Sequence, residues 1–354
     1  MSILEKLGSA ALSIALLCAC HPARAEESSV AGVALYAGSD RNARLVAGVK
    51  KEDVLTFYTS VNRLQQGSPV IDAFKKKYGI EVRVWRASSE KVLQRVLAEA
   101  KAGRFDADVV TVTASDLEAL HREKWLQAVK SPLFADVMPA ALPAHREWVG
   151  TYLLAFVQAY NTQAVKRQDL PKTYHDLLHP RWKGRLGIES KDYEWFYTVV
   201  KDMGEQEGIA FFKKLVANNG LSVRNGHSLL TNLVASGEVP LALTVYHYTP
   251  EQLKQKGAPI EWFAIEPAIA SLAATGVSKR APHPHAAILF YDFLLSEEAQ
   301  RMLLEMHYAP VNKNVASPLK NMRVKFIDPA TSLDESEKWT RLYDDIIVKQ
   351  GGRQ

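Results

Sequence analysis

The chain has 354 residues, enough for two lobes of ordinary size. Its composition, 47% apolar and 23% charged, is that of a folded, water-soluble chain. A formal charge of +5, with no basic run interleaved with aromatics, argues against a nucleic-acid partner.

Residues 1–25 read as a secretory signal peptide. Lys6 opens the segment, and residues 7–19 are apolar but fall short of the roughly 20 that a membrane-spanning helix needs. Ala23-Arg24-Ala25 then offers a small-x-small cleavage pattern before Glu26. A periplasmic location is expected. Both cysteines, Cys18 and Cys20, lie in this segment, so a chain cut after Ala25 carries no thiol, disulfide or cysteine metal ligand. Leu17-Cys18-Ala19-Cys20 loosely follows a lipobox, and a lipid anchor on Cys20 stays open as the alternative.

Residues 26–38 are small and polar and read as a flexible lead-in. A helix is expected over 41–51, then a strand over 54–58 ending at Thr59-Ser60, a helix over 69–78 and a strand over 80–85. Ser88-Ser89 opens a helix that Gly103 stops, and residues 108–112 form a nearly continuous apolar strand, as in a sheet covered on both faces. Residues 152–160 are strand-like and could cross to a second lobe. There the rhythm repeats, with strands at 186–188, 221–223 and 241–246 and helices at 193–203, 208–218 and 226–236. Residues 261–266 read as a return crossing, and 286–306 as one long amphipathic helix.

In open α/β sheets, ligands collect beyond the carboxyl ends of the strands, where helix N-termini converge. That rule selects Thr59, Ser60, Ser88, Ser89, Tyr193, Trp195, Asn225, Gly226, Ser228, Tyr246 and Tyr248 as candidate ligand contacts, with Tyr58 beside them.

Several stretches resemble the periplasmic solute-binding proteins of ABC importers, in the branch that includes ferric-ion binders. They include Leu55-Thr56-Phe57-Tyr58-Thr59-Ser60, Gly103-Arg104-Phe105-Asp106-Ala107-Asp108, Ala159-Tyr160-Asn161-Thr162, His179-Pro180-Arg181-Trp182-Lys183-Gly184 and Ala281-Pro282-His283-Pro284-His285-Ala286-Ala287. Their order and spacing span residues 39–315. The resemblance implies a type II periplasmic-binding-protein fold. Lobe 1 would be 39–155 plus about 267–282, and lobe 2 would be 156–266 plus about 283–350. It further implies a monomer that captures a small ligand between the lobes and delivers it to an inner-membrane ABC permease, with no cofactor beyond a transported ion. Ferric binders of this kind use an adjacent tyrosine pair, whereas this chain reads Val245-Tyr246-His247-Tyr248. Tyr246 and Tyr248, with Tyr193 and Tyr58, would be the metal ligands if the solute is ferric ion, since phenolate is a hard donor. A small anionic organic solute held at the helix openings is the other possibility.

Other constellations carry less. His175 and His179 have the i, i+4 spacing of a helical zinc pair, but Pro180 ends the helix at once. No phosphate-cradling glycine loop or nucleophile elbow is present. The carboxylates Glu189, Asp192 and Glu194 leave a secreted hydrolase as the alternative to a non-enzymatic binding protein.

Overall fold

The computed structural model describes residues 29–62 and 64–351. The expected signal peptide, the alternative anchor at Cys20 and the first residues of the lead-in lie outside the described residues. The rest of the lead-in is ordered. Ser29 Oγ accepts the Gly32 N–H at 3.0 Å and caps the helix Val30–Leu35, which buries Val33 and Ala34 in the first core. The reading of 26–38 as flexible is thus corrected for the described residues: two adjacent buried residues and a capped N-terminus suffice to dock a short helix.

The strands are β1 (Val54–Thr59), β2 (Glu81–Arg86), β3 (Val109–Thr113), β4 (Leu126–Gln127), β5 (Trp148–Asn161), β6 (Leu186–Glu189), β7 (Ser222–Arg224), β8 (Leu241–Tyr246), β9 (Ile260–Phe263), β10 (Ala268–Ser278), β11 (Ala309–Pro310) and β12 (Val324–Phe326). The main order is β2-β1-β3-β10-β5-β8-β6-β7. Within each lobe the strands β2, β1 and β3, and likewise β8, β6 and β7, run parallel, while β5 is antiparallel to its neighbours β10 and β8.

One strand joins the halves. All 14 residues of β5 are buried. Its residues 148–155 pair with β10, while 156–161 pair with β8 and β9. The register slips at Ala273/Ala274 in the first pairing and at Val157/Ala159 in the second, where the strand turns from one sheet into the other. The return crossing runs between β9, in the second sheet, and β10, in the first.

The helices follow from local chemistry. Ser68 caps the helix Pro69–Tyr78, Pro69 stands at its first position, and Gly79 ends it with φ of 71°. The single helix expected over 286–306 is instead two, Pro284–Leu295 and Glu297–Glu305. Ser296 lies between them in extended backbone, and its Oγ accepts the Ala299 N–H, so a cap residue divides what apolar periodicity alone would have joined.

Two principal cores result. The first gathers apolar residues from Val33 to Ala155 and again from Ala270 to Leu319. The second spans Phe156 to Ile269 and Ile327 to Ile347. The expected assignment of 283–350 to lobe 2 is therefore divided. Pro284–Leu295 packs in lobe 1, where Phe290 meets Phe57 at 5.0 Å and Phe74 at 4.9 Å, and only the tail beyond about 327 belongs to lobe 2. Two carboxylates fix this helix in place. Asp108 accepts the His283 N–H at 2.7 Å and pairs with His283 Nδ1 at 2.9 Å, while Glu52 accepts the N–H groups of His285 and Ala286 and meets His285 Nδ1 at 2.7 Å. The Ala281–Ala287 motif thus works as a pair of tethers from the first sheet to a helix N-terminus.

Candidate functional site

The carboxyl ends of the strands of both lobes meet across a closed interface. On the first lobe, Ser89 Oγ donates to Ser60 Oγ at 2.8 Å, and Thr113 Oγ1 donates to Asp116 Oδ2 at 2.8 Å. Next to Asp116, Ser115 reaches across and donates to Glu194 Oε1 at 2.6 Å, and Ser332 donates to the same oxygen. Beyond Glu194, the second lobe presents Tyr193, Asp192, Glu189 and His227, with Tyr246 against the His227 ring at a centroid distance of 4.1 Å. An aromatic train leads away from there. Tyr246 stacks with Tyr248 at 5.8 Å, Tyr248 meets Tyr308 at 4.5 Å, and Tyr308 meets Tyr152 at 4.3 Å.

Of the expected contacts, the structure pairs Ser60 with Ser89 on the first lobe and Tyr246 with Tyr248 on the second, and sets Tyr193 near Glu194 and Asp116. Tyr246 and Tyr248 share a side as alternation suggested, although the strand has ended by then and Tyr248 already opens the helix Tyr248–Lys254. His247, which separates them, is 2% exposed, and burial drives its pKa down to about 4, so it is neutral.

Other candidates are differently engaged. Tyr58 is buried on the face of β1 that meets the helix Ser89–Lys101, where its hydroxyl donates to Glu99 Oε1 at 3.0 Å under the Arg95 guanidinium. It cannot join the other tyrosines as a metal ligand. Thr59 is fully buried, and its Oγ1 accepts the Val61 N–H at 3.0 Å, which shapes the turn. Trp195 is 1% exposed between Tyr174 and Phe212 in the second core. Asn225, Ser228 and Ser88 are solvent-exposed. Gly226, whose φ of 105° suits glycine, gives its N–H to Glu189 Oε1 at 2.9 Å. That helix opening therefore already holds an anion supplied by the chain itself.

Sequence reasoning placed no ligand role on Asp116, His227, Tyr152 or Tyr308. Ser115-Asp116 follows the end of a buried strand, and His227 follows a glycine at a helix opening, so the same strand-end rule reaches both. Tyr152 and Tyr308 carry no such signal, because they lie within a crossing strand and just ahead of a two-residue strand.

The electrostatics of this interface are one-sided. Burial, with Glu194 and Glu90 nearby, pushes Asp116 up to about 6. Burial raises Glu194, and burial together with Asp192 raises Glu189. Burial opposes a charge on His227, but Asp192 and Glu189 together outweigh it and raise its pKa. Burial holds the phenols of Tyr246, Tyr248 and Tyr152 well above 10. Among the described residues no lysine or arginine pairs with Asp116, Glu189, Asp192 or Glu194; Lys191, nearby in sequence, pairs instead with Glu90 of the first lobe at 3.4 Å.

Two buried polar atoms here have no hydrogen-bond partner, Asp192 Oδ2 and His227 Nδ1. Glu189, Asp192 and His227 offer two carboxylate oxygens and an imidazole nitrogen within 4.8 Å of one another, a set that could hold a metal ion. Glu189 is itself rigidly held. Its oxygens accept the N–H groups of Gly226 and Lys191, its own N–H donates to Thr244 Oγ1 at 3.1 Å, and Tyr343 donates to its carbonyl. A carboxylate so engaged is a poor general base.

A family model described as bacterial extracellular solute-binding protein matches residues 70–326. The chain is a bacterial extracellular solute-binding protein. It is 27% identical over 285 residues to iron uptake protein A1 of Synechocystis sp., covering 74% of this chain and 77% of that one. It is 24% identical over 295 residues to the Fe(3+)-binding periplasmic protein of Serratia marcescens, covering 79% and 86%. Among solved structures, iron-bound HitA from Pseudomonas aeruginosa superposes with a TM-score of 0.73 at 25% identity over 83% of this chain and 99% of that one. AfuA from Actinobacillus pleuropneumoniae, with fructose-6-phosphate bound, gives 0.71 at 24% identity over 83% and 98%. The type II periplasmic-binding-protein fold follows from these likenesses, and the hydrolase alternative finds no support among them. Among the described residues of this solute-binding protein, no helix is long and apolar enough to cross a membrane.

Proposed function

We propose that this solute-binding protein is the extracytoplasmic component of an ABC importer and that the solute it captures is a metal cation, with ferric ion, bound by its named relatives, as the first choice. One observation carries this reading: four carboxylates, those of Asp116, Glu189, Asp192 and Glu194, are gathered at the lobe interface with tyrosine hydroxyls and with the His227 imidazole beside them. Buried ionised carboxylates are costly unless paired. A cation satisfies them, and hard oxygen donors suit ferric ion. A phosphorylated or carboxylated metabolite would face the same carboxylates and be repelled, so the electrostatics favour iron over the anionic organic solute.

Asp192 Oδ2 and His227 Nδ1 are the open donor atoms on the second lobe, and Tyr246 lies against them. Asp116 and Ser115 approach from the first lobe. Without a cation, closure sets Asp116 of the first lobe against Glu194 of the second; a cation between the lobes relieves that repulsion. Ligand capture and lobe closure are thus one event, and the closed form is the one offered to the permease.

Ferric citrate tests the reading. The expected results are a phenolate-to-iron absorption band in the visible and a higher melting temperature, since a ligand at 100 times its Kd stabilises the folded state by about 2.7 kcal/mol. Tyr246→Phe should weaken the band. A chain that ignores ferric ion but is stabilised by a sugar phosphate would refute the proposal.

A further inference from the structure

A second group of metal-ligating side chains lies outside the cleft and plays no part in solute capture as described above. The helix Ala114–Arg122 presents Ser115 and Asp116 to the cleft at its first turn, whereas His121 lies at its other end, roughly 9 Å along the axis at 1.5 Å per residue. There His121 Nδ1 meets Glu147 Oε2 at 2.6 Å, and the His121 and His145 rings stack at 3.9 Å. His145 Nδ1 accepts the Glu147 N–H at 3.1 Å. Its other nitrogen, Nε2, is buried without a hydrogen-bond partner and lies 3.6 Å from Glu118 Oε2. Glu118 is held in turn by Trp148 Nε1 at 3.4 Å.

We propose that His121, His145 and Glu147, with Glu118 beside them, form a divalent transition-metal site of the zinc type on the first lobe. The three residues bring one ligand atom each to within 4.8 Å of one another. Two imidazoles and a carboxylate, with water in a fourth position, are a common zinc ligand set, and Glu118, held by Trp148, stands 3.6 Å from His145 Nε2 where an outer partner of such a ligand usually lies. The side chains of His121, His145 and Glu147 are between 24% and 29% exposed, so an ion can reach them and leave part of its hydration in place. The stacked rings lie 12° from parallel, so the ion turns one imidazole out of the stack to bring its nitrogen lone pair onto the metal. A bound ion would tie the C-terminal end of this helix to the start of β5. The same helix carries Arg122, which bonds Asp334 and the Ala330 carbonyl on the second lobe, so the ion would brace a helix that takes part in closure.

Calorimetric titration of the whole chain with Zn2+ alone tests the site. The expected result is a binding event that survives Asp192→Asn, a change confined to the cleft, and that His121→Asn weakens tenfold or more. Asparagine keeps a polar group against Glu147 while removing the imidazole, and Glu147→Gln serves as the second variant should the first change the metal-free melting temperature. No Zn2+ binding by the parent chain, or titrations of both variants that match the parent, would overturn the proposal. Loss of the event in Asp192→Asn, with its retention in His121→Asn, would overturn it too, by assigning the zinc to the cleft.

Discussion

Asp108 shows how much a single side chain can hold. It is fully buried, and it accepts the Thr56 N–H at 2.7 Å as well as both groups of His283, so it ties β1 to the helix that completes the first core. Removing such an acceptor leaves buried donors unpaired. Asp108→Ala should therefore cost about 2–4 kcal/mol in urea unfolding. Its partner gives this contact a pH dependence. The Asp108 hydrogen bond raises the pKa of His283 above 6.5, so the stabilisation from the charged imidazole is complete below that value and is lost as pH rises through the raised one. His283→Asn should accordingly destabilise more at about pH 6 than at about pH 9, by the same measurement. An equal loss at both would mean that His283 serves only through its backbone N–H.

Between elements, the close approach of two helices matters more than their propensities. A Cβ placed on Gly208, in the helix Glu205–Asn219, would stand 2.6 Å from Val200 Cα on the helix Tyr193–Met203. In a solvent-facing helix Gly→Ala stabilises by up to about 1 kcal/mol. Here it should destabilise by about 1–3 kcal/mol, because backbone must move to admit one methyl group. Strands β1, β2, β3, β5, β6, β7 and β8 and the helices between them were legible because their signals are local, such as the buried apolar runs in β3 and β5 and the Pro69 start of Pro69–Tyr78, whereas β10, rich in small residues, and the helix Ala114–Arg122 were not anticipated. The division at Ser296 was not, since apolar periodicity continues through it and only the cap marks the break. For the site, the strand-end rule found the right neighbourhood but could not say which way each side chain points. Tyr58 and Trp195 sit at the right height and face inward, and of the carboxylates that give the cleft its character three were legible only as a hydrolase's acid/base candidates.

Across the whole molecule, the proposed function predicts that the carboxylates disfavour closure until a cation is captured. Asp116→Asn together with Glu194→Gln removes facing charges from the two lobes. Small-angle scattering should show the parent chain contracting when ferric citrate is added, and the double variant already contracted without it, with at least tenfold weaker iron affinity. A double variant that still opens and closes with iron would show that the carboxylates do not govern the hinge. The lobe assignment of the C-terminal third lay beyond sequence reasoning for a related reason. Both lobes use chain from that third, and nothing in Pro284–Leu295 except its tethers to Glu52 and Asp108 says which core it enters.

The place of β10 has a consequence for how the chain assembles. This strand lies at the middle of the first sheet, between β3 and β5, yet it follows the strands of the second sheet in sequence. A growing chain that stops at residue 260 already holds β1, β2, β3 and β5 with an open slot among them, and the second lobe in turn waits for Ile327 to Ile347. Neither half can therefore mature alone. Long loops must close before either core is complete, which favours slow, all-or-none folding of the finished polypeptide over stepwise folding from the N-terminus.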